Sequence, residues 1–158
     1  MPDYRTHLLG LATLLLYGSL APACLTSSAQ SESDAVNEAR EVMVDFMTTF
    51  NARDEVAWAE TFNYPHIRIA GGQVRIAESI DAIVQEMDFD RFAEMTGWHY
   101  SAWDSVDVVH AGDDKVHFAV EFTRFDEAGQ SLQTYQSLYV VTNLDGHWGI
   151  QSRSSFAP

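Results

Sequence analysis

The sequence is poor in cysteine and in basic residues, and each shortage excludes a class of protein. A single cysteine among 158 residues rules out an internal disulfide and a cysteine-based zinc site. One lysine and eight arginines face 23 acidic residues, and the formal net charge is −14. Because phosphate binding needs clustered lysine and arginine, a nucleic-acid partner is not expected.

The remaining composition is that of a folded protein with one domain. Hydrophobic residues make up 46% of the chain and charged residues 20%, a balance typical of globular proteins. The length fits one domain of ordinary size. No His-x-x-His or His-Glu-x-x-His pattern occurs, so neither a metal site nor a cofactor is expected.

The first residues have the layout of a secretory signal peptide. The apolar stretch Leu8–Leu20 follows Arg5 and is too short to span a bilayer comfortably. Small residues after it allow cleavage behind residue 29 or residue 23. Cys24 would become the first residue after the earlier cut, and this arrangement resembles a bacterial lipoprotein box, in which the cysteine is lipidated. The alternatives are that Cys24 leaves with the signal peptide or remains as a free thiol. We therefore expect residues 1–29 to hold a signal peptide and polar tether.

Export follows from that interpretation. The mature protein is expected to be periplasmic, secreted or lipid-anchored to the envelope, with its folded domain at residues 34–157.

Two amphipathic helices are predicted at the start of this domain. Ser33 or Asp34 caps the first, and residues 51–54 break it. Its apolar residues recur every three or four positions: Ala35, Ala39, Val42, Met43, Phe46, Met47 and Phe50. A shorter helix around Trp58 follows. Pro65 is expected to end it, because a residue preceding proline is pushed out of helical geometry.

A β-hairpin and a third helix come next. Two short strands, residues 66–70 and 73–76, are joined by the turn Gly71-Gly72. Ser79 caps the predicted third helix, and Gly97 closes it.

From Trp98 onward apolar and polar residues alternate, as in β-strands. Turn residues divide this region into four runs: Trp98–Val109, Lys115–Phe125, Leu132–Asn143 and His147–Phe156. The pair Asp145-Gly146 is a strong two-residue hairpin signal, and short loops make neighbouring strands antiparallel. We predict an α+β domain in the order α-α-β-β-α-β-β-β-β, with three helices packed on one face of a curved antiparallel sheet.

Three stretches of this domain resemble those of a known superfamily. They are Phe62-Asn63-Tyr64-Pro65-His66, Phe122-Thr123-Arg124-Phe125-Asp126 with Gly129 beyond it, and Asp145-Gly146-His147-Trp148-Gly149-Ile150. With the element order, they make the chain resemble the NTF2-like superfamily, and within it the SnoaL-like domains. The resemblance implies a cone with a pocket between sheet and helices. It also implies a homodimer formed through the outer face of the sheet.

The resemblance leaves the activity open, because this superfamily contains isomerases, cyclases and dehydratases as well as binding modules. Ketosteroid isomerases in it carry a base Asp near the end of the first strand. This sequence has Ile69 and Arg68 there, and neither can remove a proton from carbon. SnoaL-type cyclases depend on a pocket acid. The candidates here are Asp104 and Glu121, and a lone strand acid is more often on the solvent face.

His66 is the best candidate for a catalytic residue. Its unperturbed pKa suits acid–base chemistry, and the resemblance places it at the mouth of the pocket. The alternative is a structural histidine that caps the second helix or packs beside Tyr64.

The Asp145-Gly146 turn predicts which side chains of the last two strands share a face. A two-residue loop pairs Leu144 with His147, and Tyr139 then lies opposite Ser152. The inner face so predicted contains Tyr135, Ser137, Tyr139, Val141, Trp148, Ile150, Ser152, Ser154 and Phe156. Aromatic and hydroxyl side chains together are typical of a small-molecule pocket, with a plain core as the alternative. A slip of one residue would bring Arg153 inside.

Two further residues belong to the candidate pocket. Trp103 lies near the start of the long sheet, where it either floors the pocket or packs against the third helix. Arg124 ends a strand with apolar neighbours on its face. We expect it at the rim, where it either holds an anionic ligand or pairs with Asp126 or Glu127.

The sequence therefore predicts an exported, non-catalytic domain that binds a small apolar or carbonyl-containing molecule. The candidate ligand-binding residues are His66, Trp103, Arg124, Tyr135, Tyr139 and Ser152. Two alternatives stay open: an acid–base enzyme of isomerase, cyclase or dehydratase type that uses His66, and a dimerisation module of an envelope assembly.

Overall fold

A computed structural model describes the backbone of residues 23–158 and the side chains of residues 31–158. The predicted signal sequence Leu8–Leu20 and the side chain of Cys24 lie outside the described residues. The elements are α1 (Ala23–Ala52), α2 (Glu55–Glu60), β1 (Phe62–Ala70), β2 (Gln73–Ala77), α3 (Ile80–Glu86), α4 (Phe89–Thr96), β3 (Tyr100–Ala111), β4 (Lys115–Phe125), β5 (Ser131–Leu144) and β6 (His147–Ser155).

Helix α1 buries the apolar stripe that its spacing predicts. Ala39, Met43 and Phe46 are at most 4% exposed and face the sheet. The helix begins earlier than predicted, because residues 23–33 contain no proline or glycine to interrupt it, so Ser33 and Asp34 lie inside it instead of capping it. At its far end the Asn51 amide exchanges two 2.8 Å hydrogen bonds with the backbone of Ser101 in β3.

Helix α2 ends before Pro65, so the predicted role of that proline is wrong. Pro65 lies inside β1, and its peptide bond with Tyr64 is cis. Strand β1 pairs with β6 at Phe62 and again only from Ile67 onward. Proline has no backbone N–H to donate to a neighbouring strand, and Pro65 lies where the pairing of β1 with β6 is interrupted.

The predicted third helix is two helices in the structure. Ser79 caps α3 as predicted, and Gly97 ends α4 in the left-handed conformation. Between them the Asp88 carboxylate accepts a 2.9 Å hydrogen bond from the Arg91 backbone N–H and starts α4. Asp88 is therefore an N-cap that divides the segment.

The strands form one six-stranded sheet in the order β2-β1-β6-β5-β4-β3. The four long strands and the Leu144–His147 hairpin confirm the predicted α+β architecture. One pair differs: β6 lies parallel to β1, so the sheet is mixed instead of purely antiparallel. After β5 the chain turns back, and β6 lies in the sheet between β1 and β5.

The core lies between the helices and the inner face of this sheet. Its largest fully buried side chains include Trp98, Phe62, Phe89, Phe118 and Met43. None of the helices in the described part of the chain has the length and apolar character that a membrane span requires.

Candidate functional site

The core does not fill the space between helices and sheet, and a cavity of about 270 Å³ remains. This volume is near the lower end of the range of about 300–1,000 Å³ that small-molecule sites occupy. Its apolar walls come from both layers: Phe46, Met47, Phe50, Trp58, Ile83, Met87, Phe92, Trp103 and Phe122.

Strand β6 contains a β-bulge that changes which side chains reach this cavity. Val141 pairs with Ile150 as predicted, but Val140 pairs with Ser152, so Gln151 is an extra residue in β6. Beyond the bulge, the side chains exchange faces. Tyr139 is buried on the inner face as predicted, and its partner there is Arg153.

The inner-face prediction is therefore wrong for the end of β6. Ser152 is not among the residues that line the cavity, and Arg153 and Ser155 take its side of the sheet. The Gln151 side chain supports the bulge, because its amide donates a hydrogen bond to the Pro65 carbonyl and its carbonyl accepts one from the Thr142 hydroxyl.

Arginines occupy one side of the cavity in a cross-strand row. Arg75 of β2 lies opposite Arg68 of β1, and Arg68 lies beside Arg153 of β6. All three line the cavity, as does Arg124 of β4. Burial, followed by the charges of Arg153 and Arg75, lowers the pKa of Arg68 to about 10.

Arg153 is held among aromatic rings. Its guanidinium carbon lies 5.1 Å from the centre of Phe62 and 5.3 Å from the centres of Phe46 and Trp58. Rings at this distance attract a cation through their faces. The Arg153 Nε donates to Nε2 of His66 at 3.2 Å.

Arg124 is buried instead of lying at the rim, and it forms no ion pair with Asp126 or Glu127. Its side chain is 9% exposed. The guanidinium carbon lies 4.8 Å from the Phe92 ring and 5.0 Å from the Tyr135 ring. Burial lowers the pKa of Arg124, and the charge of Arg153 acts in the same direction.

His66 lines the cavity, but both of its ring nitrogens are engaged. Nδ1 lies 2.9 Å from the Ile150 carbonyl oxygen, which can only accept, so Nδ1 carries the proton. Nε2 then uses its lone pair to accept from Arg153. Burial, followed by the charge of Arg153, lowers the pKa of His66 to about 3. The imidazole is neutral at physiological pH.

The other candidates from the sequence fall into two groups. Trp103 lines the cavity and donates from Nε1 to the Met43 carbonyl at 3.1 Å. Tyr135 shares the inner face but contacts Arg124 instead of lining the cavity. Asp104 and Glu121 do not line it: Asp104 is exposed, and Glu121 accepts a hydrogen bond from exposed Gln136. Ligand binding at the candidate residues stays a prediction.

Sequence reasoning missed the arginine row. The Gly71-Gly72 turn pairs Ala70 with Gln73 and therefore Arg68 with Arg75, so two of the three members of the row were readable from the hairpin. Trp58 was also missed as a lining residue, because its helical spacing marks it only as core. Within residues 31–158, no three His, Cys, Asp or Glu side chains stand close enough to hold a metal ion.

Comparison with known proteins identifies the family and the fold. A family described as NTF2-like protein (DUF6841) matches residues 37–155. No curated protein sequence matches.

Solved structures share the fold at low identity. An NTF2-like protein with a cystatin-like fold from Novosphingobium aromaticivorans superposes with a TM-score of 0.68 at 14% identity, over 88% of this chain and 91% of that one. A hexachlorocyclohexane dehydrochlorinase, LinA-type3 from Novosphingobium barchaimii, has a TM-score of 0.63 at 13% identity, over 81% and 89%. A Catenulispora acidiphila protein in complex with S-DNPA has a TM-score of 0.61 at 16% identity, over 78% and 93%.

Proposed function

The chain belongs to the NTF2-like protein family (DUF6841), and we propose that it uses the cavity of this fold to bind a small molecule without transforming it. The cavity supports binding, because aromatic and aliphatic walls surround a limited set of polar groups. The S-DNPA complex of a protein with the same fold supports the same function.

The state of His66 is the observation that carries the non-catalytic proposal. An effective general base at neutral pH needs a pKa near that pH and a free lone pair. His66 has a pKa of about 3, and Arg153 occupies its lone pair. Among the residues that line the cavity, Glu86 is the only aspartate or glutamate, and it is exposed.

A thermal-shift screen against small metabolites tests the proposal. A ligand at 100 times its Kd stabilises the native state by about 2.7 kcal/mol, which raises Tm by several degrees. Met47→Trp narrows the cavity and should abolish the shift. Met95→Trp places the same ring on an exposed residue of α4 that does not line the cavity, and it should keep the shift.

Two outcomes contradict the proposal. One is a shift that Met47→Trp leaves unchanged, because the ligand would then bind elsewhere. The other is chemical conversion of the ligand during incubation with the protein, followed by mass spectrometry, because the domain would then be an enzyme.

Export is proposed on the pattern of Leu8–Leu20 alone. Expression of the full chain in a bacterial host should give a product that lacks its first 23 or 29 residues by intact mass. Retention of Met1 would contradict export. Membrane association that survives Cys24→Ala would contradict a lipid anchor.

A homodimer through the outer face of the sheet is also proposed. Ile69, Val74 and Leu138 lie on that face with 47%, 64% and 55% of their surface exposed. Val74 pairs with Ile69, which lies beside Ser154, and Ser154 pairs with Leu138. Apolar residues of β2, β1 and β5 thus flank Ser154 of β6 on this face, where a second copy would cover them.

A further inference from the structure

The positive charge of the cavity is unusual for so acidic a protein. Four of the eight arginines line this cavity, although the chain carries a net charge of −14. Within the described part of the chain, the only ion pair within 4.0 Å joins Arg53 to Asp90, away from the cavity. Buried charges in proteins are normally paired, so the cavity holds cationic charge that the described side chains do not neutralise.

Two buried donors in the cavity wall also have no acceptor. Trp58 Nε1 and Arg124 Nε are the buried side-chain nitrogens without a hydrogen-bond partner among residues 31–158. Their residues are 5% and 9% exposed, and both line the cavity. A buried donor left without an acceptor destabilises the folded protein. Both groups can only donate, so a ligand that satisfies them must present acceptors.

The arginines are also fixed before any ligand arrives. Arg124 lies between Phe92 and Tyr135, and Arg153 is held by three rings and by His66. Arg68 is partly satisfied, because it donates to the backbone oxygens of Ala157 and Pro158 at 3.3 and 2.9 Å. A planar guanidinium held in place loses little freedom when it binds an oxyanion.

We propose that the ligand of this cavity is a small oxyanion, a carboxylate on a flat apolar body, whose anionic group is bound by Arg124 and Arg153 while the aromatic walls hold the body. This inference rests on the proposed function, because it names the class of molecule that the binding site takes. Mutual repulsion among the arginines supports it: burial lowers the pKa of Arg68, the charges of Arg153 and Arg75 lower it further, and an anion would relieve that repulsion.

The test compares aromatic carboxylates with their uncharged isosteres. Calorimetric titration would use a panel of acid and amide pairs, with 2-naphthoate and 2-naphthamide as the leading pair. Hydrogen bonds to a charged acceptor are stronger than those to a neutral one, so the carboxylate should bind at least about tenfold more tightly than the amide.

Substitution of Arg124 locates the anion site. Arg124→Met should weaken 2-naphthoate binding at least about tenfold and change 2-naphthamide binding by less than about threefold. Arg91→Met is the matched control, because Arg91 is an exposed arginine that does not line the cavity. If Arg124→Met fails to fold, Arg153→Met makes the same comparison at the other arginine of the proposed anion site.

The outcomes separate this inference from the proposed function. Equal affinity for acid and amide, or an equal loss of both in Arg124→Met, overturns the anionic class and leaves small-molecule binding standing. Absence of binding by every acid and amide of the panel, together with no hit in the metabolite screen, overturns both. Selective loss of the acid in Arg124→Met supports the inference.

Discussion

At the scale of single residues, His66 and Arg153 act as one unit. The imidazole donates a hydrogen bond from Nδ1 to the Ile150 carbonyl and accepts one at Nε2 from Arg153. The hydrogen bond to Nε2 orients the Arg153 guanidinium at the cavity wall. Sequence reasoning identified His66 as special because of its place after Pro65. It did not find this partner, because the bulge that turns Arg153 inward depends on contacts between β1 and β6.

The pH dependence of stability should reveal the neutral state of His66. The pKa in the folded protein, about 3, lies below the unfolded value of about 6.5. Between these values only the unfolded state takes up the proton, so the stabilisation present above pH 6.5 is lost as the pH falls toward 3. His66→Gln should remove this loss. From pH 6 to 4.5, urea unfolding should show wild type losing stability faster than the variant, by at most about 1.4 kcal/mol per pH unit.

The carboxylates of wild type and variant are the same, so the difference between the two curves isolates residue 66. At neutral pH, His66→Gln should be the less stable protein, and the gap should shrink on acidification. Parallel curves over this range would show that the imidazole is protonated in the folded state.

At the scale of elements, local patterns predicted most of the fold, and non-local pairing explains part of what they missed. The long strands and the hairpin at Asp145-Gly146 follow from alternation and turn chemistry, and both are confirmed. The Asp88 N-cap is a local signal that the sequence prediction did not use. The parallel pairing of β1 with β6 was not readable, because its paired residues lie 85 to 88 positions apart, where no local pattern reports the partner.

Gly149 makes that parallel junction possible. A Cβ at this position would lie 2.9 Å from the Asn63 backbone nitrogen and 2.9 Å from the Phe62 carbonyl carbon. Backbone atoms of a central strand cannot move aside cheaply, so Gly149→Ala should lower the free energy of unfolding by about 1–3 kcal/mol. Chemical denaturation measures the change.

Gly112→Ala is the control for this substitution. A Cβ there would meet only the Lys115 carbonyl oxygen, at 3.8 Å, and the backbone is not in the left-handed region. Gly112→Ala should change the free energy of unfolding by less than about 1 kcal/mol. The change should be an increase if the alanine restricts the unfolded chain. Equal losses in the two variants would contradict the close approach of β1 to β6.

At the scale of the whole molecule, charge is distributed unevenly. Acidic residues dominate the chain, while half of its arginines line one cavity. The composition shows that basic residues are scarce, but it gives no sign that four of the arginines meet at one cavity. That convergence needs the hairpin at Gly71-Gly72, the parallel pair and the bulge together, so composition carries no trace of it.

The proposed dimer should respond to both apolar contact and charge. Leu138→Asp places a carboxylate in the centre of the outer face and should give monomers by sedimentation velocity. Val44→Asp, at a residue 53% exposed on α1, should leave the association unchanged.

Each copy carries a net charge of −14, so association should strengthen as salt screens the repulsion. A monomeric wild type in about 0.3 M salt would contradict the dimer.

The bulge at Gln151 decides which alternate set of β6 side chains faces the interior. Upstream of Gln151 the strand presents one alternate set of side chains to the interior, and downstream it presents the other. A strand with the same residues but no bulge would pair Val140 with Gln151 and Tyr139 with Ser152, which turns Ser152 and Ser154 inward and Arg153 outward. The interior would then lose a cation and gain hydroxyls without a single substitution. Within this fold, the charge of the cavity wall can therefore change through strand register alone, and alignments that score only the identity of lining residues would not see it.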